Sequence, residues 1–334
     1  MPEISIIMPA YNAGKYIGNA IESIINQTFK NWELIIVDDC STDNTVNIVE
    51  KYCKSHNNIL LIKRTHNSGA ARLPRREAAY AAKGRFIMTF DADDFLDKDY
   101  IEKMYQRKIT TGSNITLGTL YFCNEDGQTR GFAIPEKNFN KNCILTGLEA
   151  TRLLLGEVSI SVSGLLVDKE IYIKNISSTN KQYDNLSYVD EIDQRNLLIN
   201  CNKVSFTDAG YYYRQHPESL MHLSDARRYN ILTTLEAIYQ FAKKHYSDRV
   251  VFDKLDNEFI TNLMYCYRDY YYNKHHKSAN SADIEKILKN AYDYSRKEEM
   301  RPTGAKHRLC MASYSSLRFL SYLYGTLLRI KCYR

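Results

Sequence analysis

Closely spaced cysteines are missing: the eight in this 334-residue chain are scattered, with no Cys-x-x-Cys or other metal-type spacing. That leaves free buried thiols in a reducing cytoplasm as the expected state. No apolar run reaches the roughly 18 residues of a membrane-spanning helix. A mean hydropathy of −0.45 likewise excludes a multi-span membrane protein. No basic region followed by an apolar one precedes the first strand, so no signal peptide is expected and the location expected is cytoplasmic. A Gly-x-Gly-x-x-Gly turn after the first strand is also absent, which argues against a dinucleotide-binding dehydrogenase. Acid is also missing from the final segment. The stretch from Lys306 to Arg334 holds Lys306, Arg308, Arg318, Arg329, Lys331 and Arg334 and no carboxylate.

The composition that is present is that of a soluble globular protein, 44% hydrophobic and 25% charged, with a net charge of +6. Short apolar runs alternate with helical patterns through the first hundred residues. Ile4 to Met8, stopped by Pro9, reads as a buried strand. Tyr16, Ile17, Ala20, Ile21, Ile24 and Ile25 then follow at helical spacing. Leu34 to Val37 is a second strand, and Thr42 or Asp43 can cap a helix from Thr45 to Lys54. "NILLIKRT" is a third strand. "GAARLPRREAAYAAKG" is helical with Pro74 in its first turn, and Phe86 to Phe90 is a fourth strand. This alternation predicts an α/β fold, a mainly parallel sheet flanked by helices. Beyond residue 110 a hairpin is expected at Asp126-Gly127, then a helix after Tyr188, strands around Val204 to Thr207 and Tyr211 to Arg214, and helices from Asp225 onward.

Ligands of such sheets bind beyond the carboxyl ends of the strands. There the sequence places Pro9, Ala10, Tyr11 and Asn12, then Asp38 and Asp39, then Asp91, Ala92, Asp93 and Asp94. A single aspartate in such a place is ordinarily a solvated helix cap. Three carboxylates directly after a buried strand need cations or donors as partners. Carboxylate and water oxygens suit Mg²⁺ or Mn²⁺, and the usual Mg²⁺ site combines one or two carboxylates with a phosphate of the ligand. Asp38 and Asp39 leave a different strand and suit ribose hydroxyls or a base N–H, with Tyr11 against the base.

The run "PAYNAGKYIGNAIESIINQTFKNWELIIVDDCSTDNT", with "NSGAAR" and "FDADD", resembles the family 2 glycosyltransferases of GT-A fold. The resemblance is close from Ile4 to about Asp99 and resumes at "YVDEIDQRNLLINCNKVSFTDAGYYYRQHPES". It implies a GT-A domain over 1–222, with a nucleotide-binding half (1–110) and an acceptor-binding half (111–222), and a helical extension over 223–334. It further implies that Pro9, Ala10, Tyr11 and Asn12 line the nucleotide pocket. Asp38 and Asp39 would bind base or ribose, and Arg72 the base or diphosphate. Asp91 and Asp93 would form the Asp-x-Asp motif around Ala92, with Asp93 the Mn²⁺ or Mg²⁺ ligand and Asp91 nearer the ribose while sharing the metal site. Arg214 would approach the diphosphate, and His216 the diphosphate or the metal.

Family members usually carry Glu-Asp, with the Asp as catalytic base, where this chain has Asp190-Glu191. The inversion puts Glu191 in the base position with Asp190 as its rival. The implied reaction is inverting transfer of a hexose or N-acetylhexosamine, from a UDP-sugar by family default, to a glycan or lipid-linked oligosaccharide in bacterial surface-polysaccharide synthesis. A catalytically inactive nucleotide-sugar-binding scaffold is the alternative that the inverted pair leaves open. A sugar-nucleotide pyrophosphorylase is disfavoured because "MPAYNAG" is no Gly-rich basic phosphate loop. No nucleic-acid motif accompanies the basic, tyrosine-rich second half, so a nucleic-acid partner is not expected. Phe319, Leu320, Leu323, Tyr324, Leu327 and Leu328 sit at helical spacing among cations. They form either a helix packed on its own domain or one lying on the inner face of the cell membrane.

Overall fold

The computed structural model describes residues 1–132, 142–154, 163–178, 188–216, 226–273, 281–301 and 305–332. The chain divides into two compact units, one of residues 1–154 and 158–216 and one of residues 155–157 and 217–334.

The first unit begins with the expected alternation. In chain order it runs β1 (Ile4–Ala10), α1 (Ile17–Ile25), β2 (Trp32–Asp38), α2 (Thr45–Ser55), β3 (Ile59–Lys63), α3 (Arg72–Ala81), β4 (Phe86–Thr89), β5 (Phe95–Leu96) and α4 (Tyr100–Thr111). A mixed part follows: β6 (Ile115–Cys123), β7 (Thr129–Phe132), β8 (Ile144–Leu145), α5 (Gly147–Leu154), β9 (Leu166–Asp168), α6 (Lys169–Ser178), α7 (Val189–Ile199) and β10 (Val204–Arg214). One sheet runs in the order β3-β2-β1-β4-β9-β6-β10-β5, with β7 on β6 and β8 on β10. The β3-β2-β1-β4 block and the β6-β10 pair are parallel, and β9 joins them antiparallel to both.

Both faces of the parallel block are buried, which is why its strands read as continuous apolar runs. Ile4, Ile6 and Met8 of β1 pack with α1 and α4 residues such as Ile17, Ile21 and Met104. Ile7 turns the other way, into a core with Ala78 and Ala79 of α3 and Leu197 of α7.

Two expectations need correction. Pro9 does not stop β1, which continues to Ala10 and pairs Pro9 with Val37. Ile7 accepts a hydrogen bond from Phe90 on the β4 side, and Ala10 accepts one from Asp39 on the β2 side. By this alternation Pro9 turns its nitrogen to the β4 side, where the ladder has ended, so its missing N–H costs no bond. The two strands expected around Val204 and Tyr211 are a single strand, β10. Its register on β6 passes from Phe206↔Leu117 to Gly210↔Thr119, so it carries two extra residues at an irregularity rather than a break.

The second unit is helical among its described residues: a short 3₁₀ turn (Ala226–Tyr229), α8 (Asn230–His245), α9 (Arg249–Asn273), α10 (Ser281–Lys297), α11 (Ala305–Cys310) and α12 (Tyr314–Cys332). Leu232, Leu235 and Ile238 of α8 and Phe259 and Leu263 of α9 are buried, as their spacing requires. No described helix is long and apolar enough to cross a membrane.

Burial on α8 pushes the Glu236 carboxyl up to about 7 from its usual 4.5. The folded state therefore favours the protonated acid. Its contribution is complete below pH 4.5 and is lost as pH rises through 7. Glu236→Gln should raise the melting temperature at pH 8, by the equivalent of about 2 kcal/mol after allowance for partial solvent screening, and change little at pH 4.5. Thermal melts of both proteins across that range check it.

Candidate active site

The carboxyl ends of β1, β2 and β4 and the distal end of β10 bring the candidate residues together. Pro9 and Ala10 close β1 as buried backbone, while Tyr11 is 50% exposed beyond it. Asn12 takes a left-handed conformation (φ 47°) and binds the neighbouring loop: its Oδ1 accepts from Thr42 N at 2.8 Å, and its N–H donates to Ser41 Oγ at 2.9 Å. The N-cap of α2 is Asn44, not Thr42 or Asp43 as expected; Asp43 Oδ1 instead accepts from Thr45 N at 2.9 Å in the turn before it. Its other oxygen accepts from Gly14 N at 2.9 Å and so ties the β1 loop to α2.

Asp38 and Asp39 are both buried. Asp38 Oδ2 accepts from Ser41 N at 3.1 Å, while its Oδ1 has no hydrogen-bond partner among the described residues. Asp39 pairs with Arg64 Nε at 2.9 Å and accepts from Ser68 N at 2.9 Å and Ser68 Oγ at 2.7 Å. Asp39 thereby fastens the loop that leads into α3.

The acidic turn after β4 separates its carboxylates. Asp91 faces protein: Arg75 Nη2 donates to its Oδ1 at 2.6 Å, and Ser163 Oγ donates to its Oδ2. Asp94 is fully buried and accepts from Tyr211 Oη at 2.5 Å and Arg214 N at 2.9 Å. Desolvation and the nearby Asp93 and Asp91 charges hold its carboxyl well above the usual range. Asp93 differs from both. Its side chain is 34% exposed, and its Oδ2 lies 3.0 Å from His216 Nε2. His216 Nδ1 is buried without a partner among the described residues.

Arg214, just before His216, donates from Nε to the Asp93 carbonyl at 2.9 Å and from Nη1 to the Glu125 carbonyl. Its guanidinium stacks over Tyr16 and Phe95, 5.3 and 5.2 Å from the ring centroids. Glu125, on the turn between β6 and β7, also pairs with Lys15 and accepts from Tyr16 Oη at 2.8 Å.

The helix α7 carries two carboxylates in its first turn, and Asp190 is within electrostatic reach of Arg75 and Asp91. Glu191 is buried and bound by Arg195 Nη1 at 2.6 Å. Asp190 lines a cavity with Arg72, Arg75 and Tyr172. Desolvation pushes its carboxyl up, partly offset by Arg75. Asp193, one turn along, pairs with Arg72 Nη2 at 2.8 Å, and burial pushes it up to about 6.

Sequence patterns single out Asp93, Asp91, His216, Arg214 and the β1 and β2 ends, and all of these lie at one edge. They miss Arg75, Ser163, Tyr211, Asp193 and Arg195. Arg75 carries a weak signal, one helical turn from Arg72. Tyr211 carries none among so many tyrosines. Among the described residues no cluster of three or more His, Cys, Asp or Glu side chains is placed to hold a metal. Asp93 and His216 alone fit a divalent cation that takes its other ligands from water and phosphate. The open carboxylate and the adjacent buried imidazole are the donors such an ion uses.

Comparison with known proteins agrees with this geometry. Residues 5–164 match the model of Glycosyl transferase family 2. The chain is 30% identical over 217 residues to a poly(ribitol-phosphate) beta-glucosyltransferase of Bacillus spizizenii. It is 28% identical over 227 residues to glycosyltransferase GlyG of Streptococcus pneumoniae. These matches cover 63% and 65% of this chain, and 32% and 72% of the relatives. The chain thus spans about a third of the length of the first relative. Among solved structures, Staphylococcus aureus TarS 1-349 in complex with UDP-GlcNAc superposes with a TM-score of 0.68 at 22% identity, over 96% of this chain and 89% of that one. Residues 5–164 thus resemble Glycosyl transferase family 2, and the chain has the GT-A fold.

Proposed function

We propose that this protein transfers a hexose or N-acetylhexosamine from a UDP-sugar to a hydroxyl of a bacterial surface polymer, with inversion at the anomeric carbon. The observation that carries the reading is the pairing, in a family 2 domain, of a partly exposed carboxylate after β4 with a buried imidazole after β10, Asp93 and His216. The donor class is supported by the TarS complex and the acceptor class by the poly(ribitol-phosphate) relative.

In this reading Pro9, Ala10, Tyr11 and Asn12 border the nucleotide, and Asp38 and Asp39 receive its base or ribose. Arg72 and Arg214 supply positive charge toward the diphosphate. Asp93 and His216 would hold Mn²⁺ or Mg²⁺, with Asp91 fixed beside them by Arg75. A divalent ion held there would supply positive charge to the departing diphosphate. The acceptor oxygen bonds to the anomeric carbon as the bond from that carbon to the diphosphate oxygen breaks. The electron pair leaves with the nucleoside diphosphate, and the hydroxyl proton passes to a carboxylate at the start of α7. Proton removal of this kind is typically worth about 10²- to 10⁴-fold.

The test is turnover of UDP-glucose, UDP-N-acetylglucosamine and UDP-galactose with and without Mn²⁺, using poly(ribitol phosphate) as acceptor. Metal-dependent UDP release from one donor is expected. UDP binding without release from any of them would favour an inactive binding protein.

Peripheral membrane contact belongs to the same reading. Leu317 and Ser321 of α12 are buried, whereas Phe319 is 64%, Tyr322 52% and Leu323 45% exposed. Arg308 of α11 and Arg318 of α12 are exposed as well. An apolar face with cations and no acid suits an anionic bilayer surface. Flotation with phosphatidylglycerol vesicles should fall at least fivefold for Phe319→Ser with Leu323→Ser. Equal flotation of variant and wild type would remove this assignment.

A further inference from the structure

We infer that Asp190, and not its neighbour Glu191, is the carboxylate that takes the acceptor proton. The inference rests on the glycosyl-transfer reading above and assigns one residue within it.

The two side chains are adjacent in sequence, so the helix turns them about 100° apart. Asp190 shares its face with Asp193, Gln194 and Leu197, and that face closes a cavity against Arg72 and Arg75 of α3 and Tyr172 of α6. Arg75 is the residue that holds Asp91 at the end of β4, at 2.6 Å. Asp190 feels both charges of that pair: Arg75 favours its ionised form and Asp91 opposes it. One arginine therefore links the face of Asp190 to the Asp-x-Asp turn. Among the described residues Asp190 forms no ion pair within bonding distance; its carboxylate accepts only from the backbone N–H groups at the start of its own helix, so it can take a proton without breaking a buried ion pair. Desolvation among these groups makes the carboxylate more basic than one in open water.

Glu191 lies on the next face. Arg195, four residues on, donates from Nη1 to the Glu191 carboxylate at 2.6 Å and to the Glu191 carbonyl at 2.8 Å. Both residues are buried, at 7% and 3% exposure. To act as a base Glu191 would have to lose its charge beside the buried Arg195 guanidinium and so weaken a buried ion pair. The geometry gives Glu191 a structural task and leaves Asp190 open for the proton. The acceptor oxygen then forms its bond to the anomeric carbon while its hydrogen moves to Asp190 Oδ, and the phosphate oxygen keeps the electrons of the broken bond.

The assignment separates two conservative variants by two readouts. Asp190→Asn should lower turnover of UDP-N-acetylglucosamine or UDP-glucose about 10²-fold or more. Its calorimetric Kd for UDP with Mn²⁺ should stay within about twofold of wild type, which also shows that the variant is folded. Glu191→Gln weakens the Arg195 pair, so the melting temperature should fall while turnover drops less than tenfold. A large loss of turnover in Glu191→Gln at unchanged melting temperature, with Asp190→Asn near wild type, would overturn the assignment. Equal large losses in both variants would overturn it as well. Wild type that binds UDP but turns over neither donor would instead overturn the transferase reading beneath it.

Discussion

Asp93→Ala should lower sugar-nucleotide turnover about 10²- to 10³-fold and abolish the enhancement of UDP binding by Mn²⁺, with little change in melting temperature. The expectation follows from how the acidic turn divides its labour. Asp93 is the partly exposed member, and it faces a histidine rather than an obligate cation. Removing it leaves no buried charge stranded, so stability should hold. What is lost is an anionic ligand beside His216 for an ion that stabilises developing charge, an effect of several kcal/mol. Each 1.4 kcal/mol corresponds to about a factor of ten in rate.

Asp91→Asn makes the contrast. Arg75 is buried and paired with Asp91, so this change leaves its guanidinium with only the more distant Asp190 charge and should cost about 3 kcal/mol of stability together with activity. Titration calorimetry of UDP with and without Mn²⁺, alongside thermal melts of both variants, checks the division. If Asp93→Ala kept Mn²⁺-enhanced UDP binding, the ion would have to be held elsewhere.

Gly147→Ala should be among the most destabilising single-methyl changes in the first unit, at about 3 kcal/mol or more. Gly147 opens α5, and its N–H donates to Cys201 O at 3.0 Å. A Cβ there would overlap Leu198 O and lie 2.6 Å from Cys201 O. Both are backbone atoms at the end of α7, so no side chain can swing aside. The helices must separate, and close-packed interiors resist that. Because α7 also carries Asp190 and Glu191, the disturbance reaches the helix of both carboxylates. A fall in melting temperature of roughly 6–12 °C is expected.

Gly69→Ala is the control. Its φ of 80° disfavours a side chain, but nothing lies within 4 Å of the new methyl, so only about 1–2 kcal/mol of backbone strain is expected. Melts of the two variants differing by less than about 2 °C would show that the α5–α7 contact yields more easily than backbone packing allows.

Both predictions turn on contacts that no local pattern encodes. Ile4 to Met8 and Leu34 to Val37 announce buried strands because burial on both faces leaves no room for polar residues. The spacing of Ile17, Ile21 and Ile24 announces a helix for a related reason, since one stripe must meet the sheet. From these the α/β alternation follows, and with it the edge at which Asp39, Asp91 and Asp93 had to emerge. The Asp-x-Asp run was legible because three acids directly after an apolar strand require a cation or hydrogen-bond donors to meet them there.

The partners of those acids were not legible. Arg75 meets Asp91 across 16 positions, Ser163 meets it across 72, and Tyr211 meets Asp94 across 117. Nor could the sequence say whether Pro9 would end its strand, because that depends on where β4 stops pairing beside it.

The sequence by itself thus determined the elements, their order and the carboxylate-lined edge, since hydrophobic periodicity and strand polarity are properties of the local chain. Only the tertiary structure decided which carboxylates are taken up by cations. Asp91 and Glu191 are taken up by arginines and Asp94 is buried under a tyrosine, whereas Asp93 faces a histidine and Asp190 forms no ion pair within bonding distance among the described residues. That choice depends on the desolvation and pairing of charges brought together from distant strands and helices, and no spacing along the chain carries it.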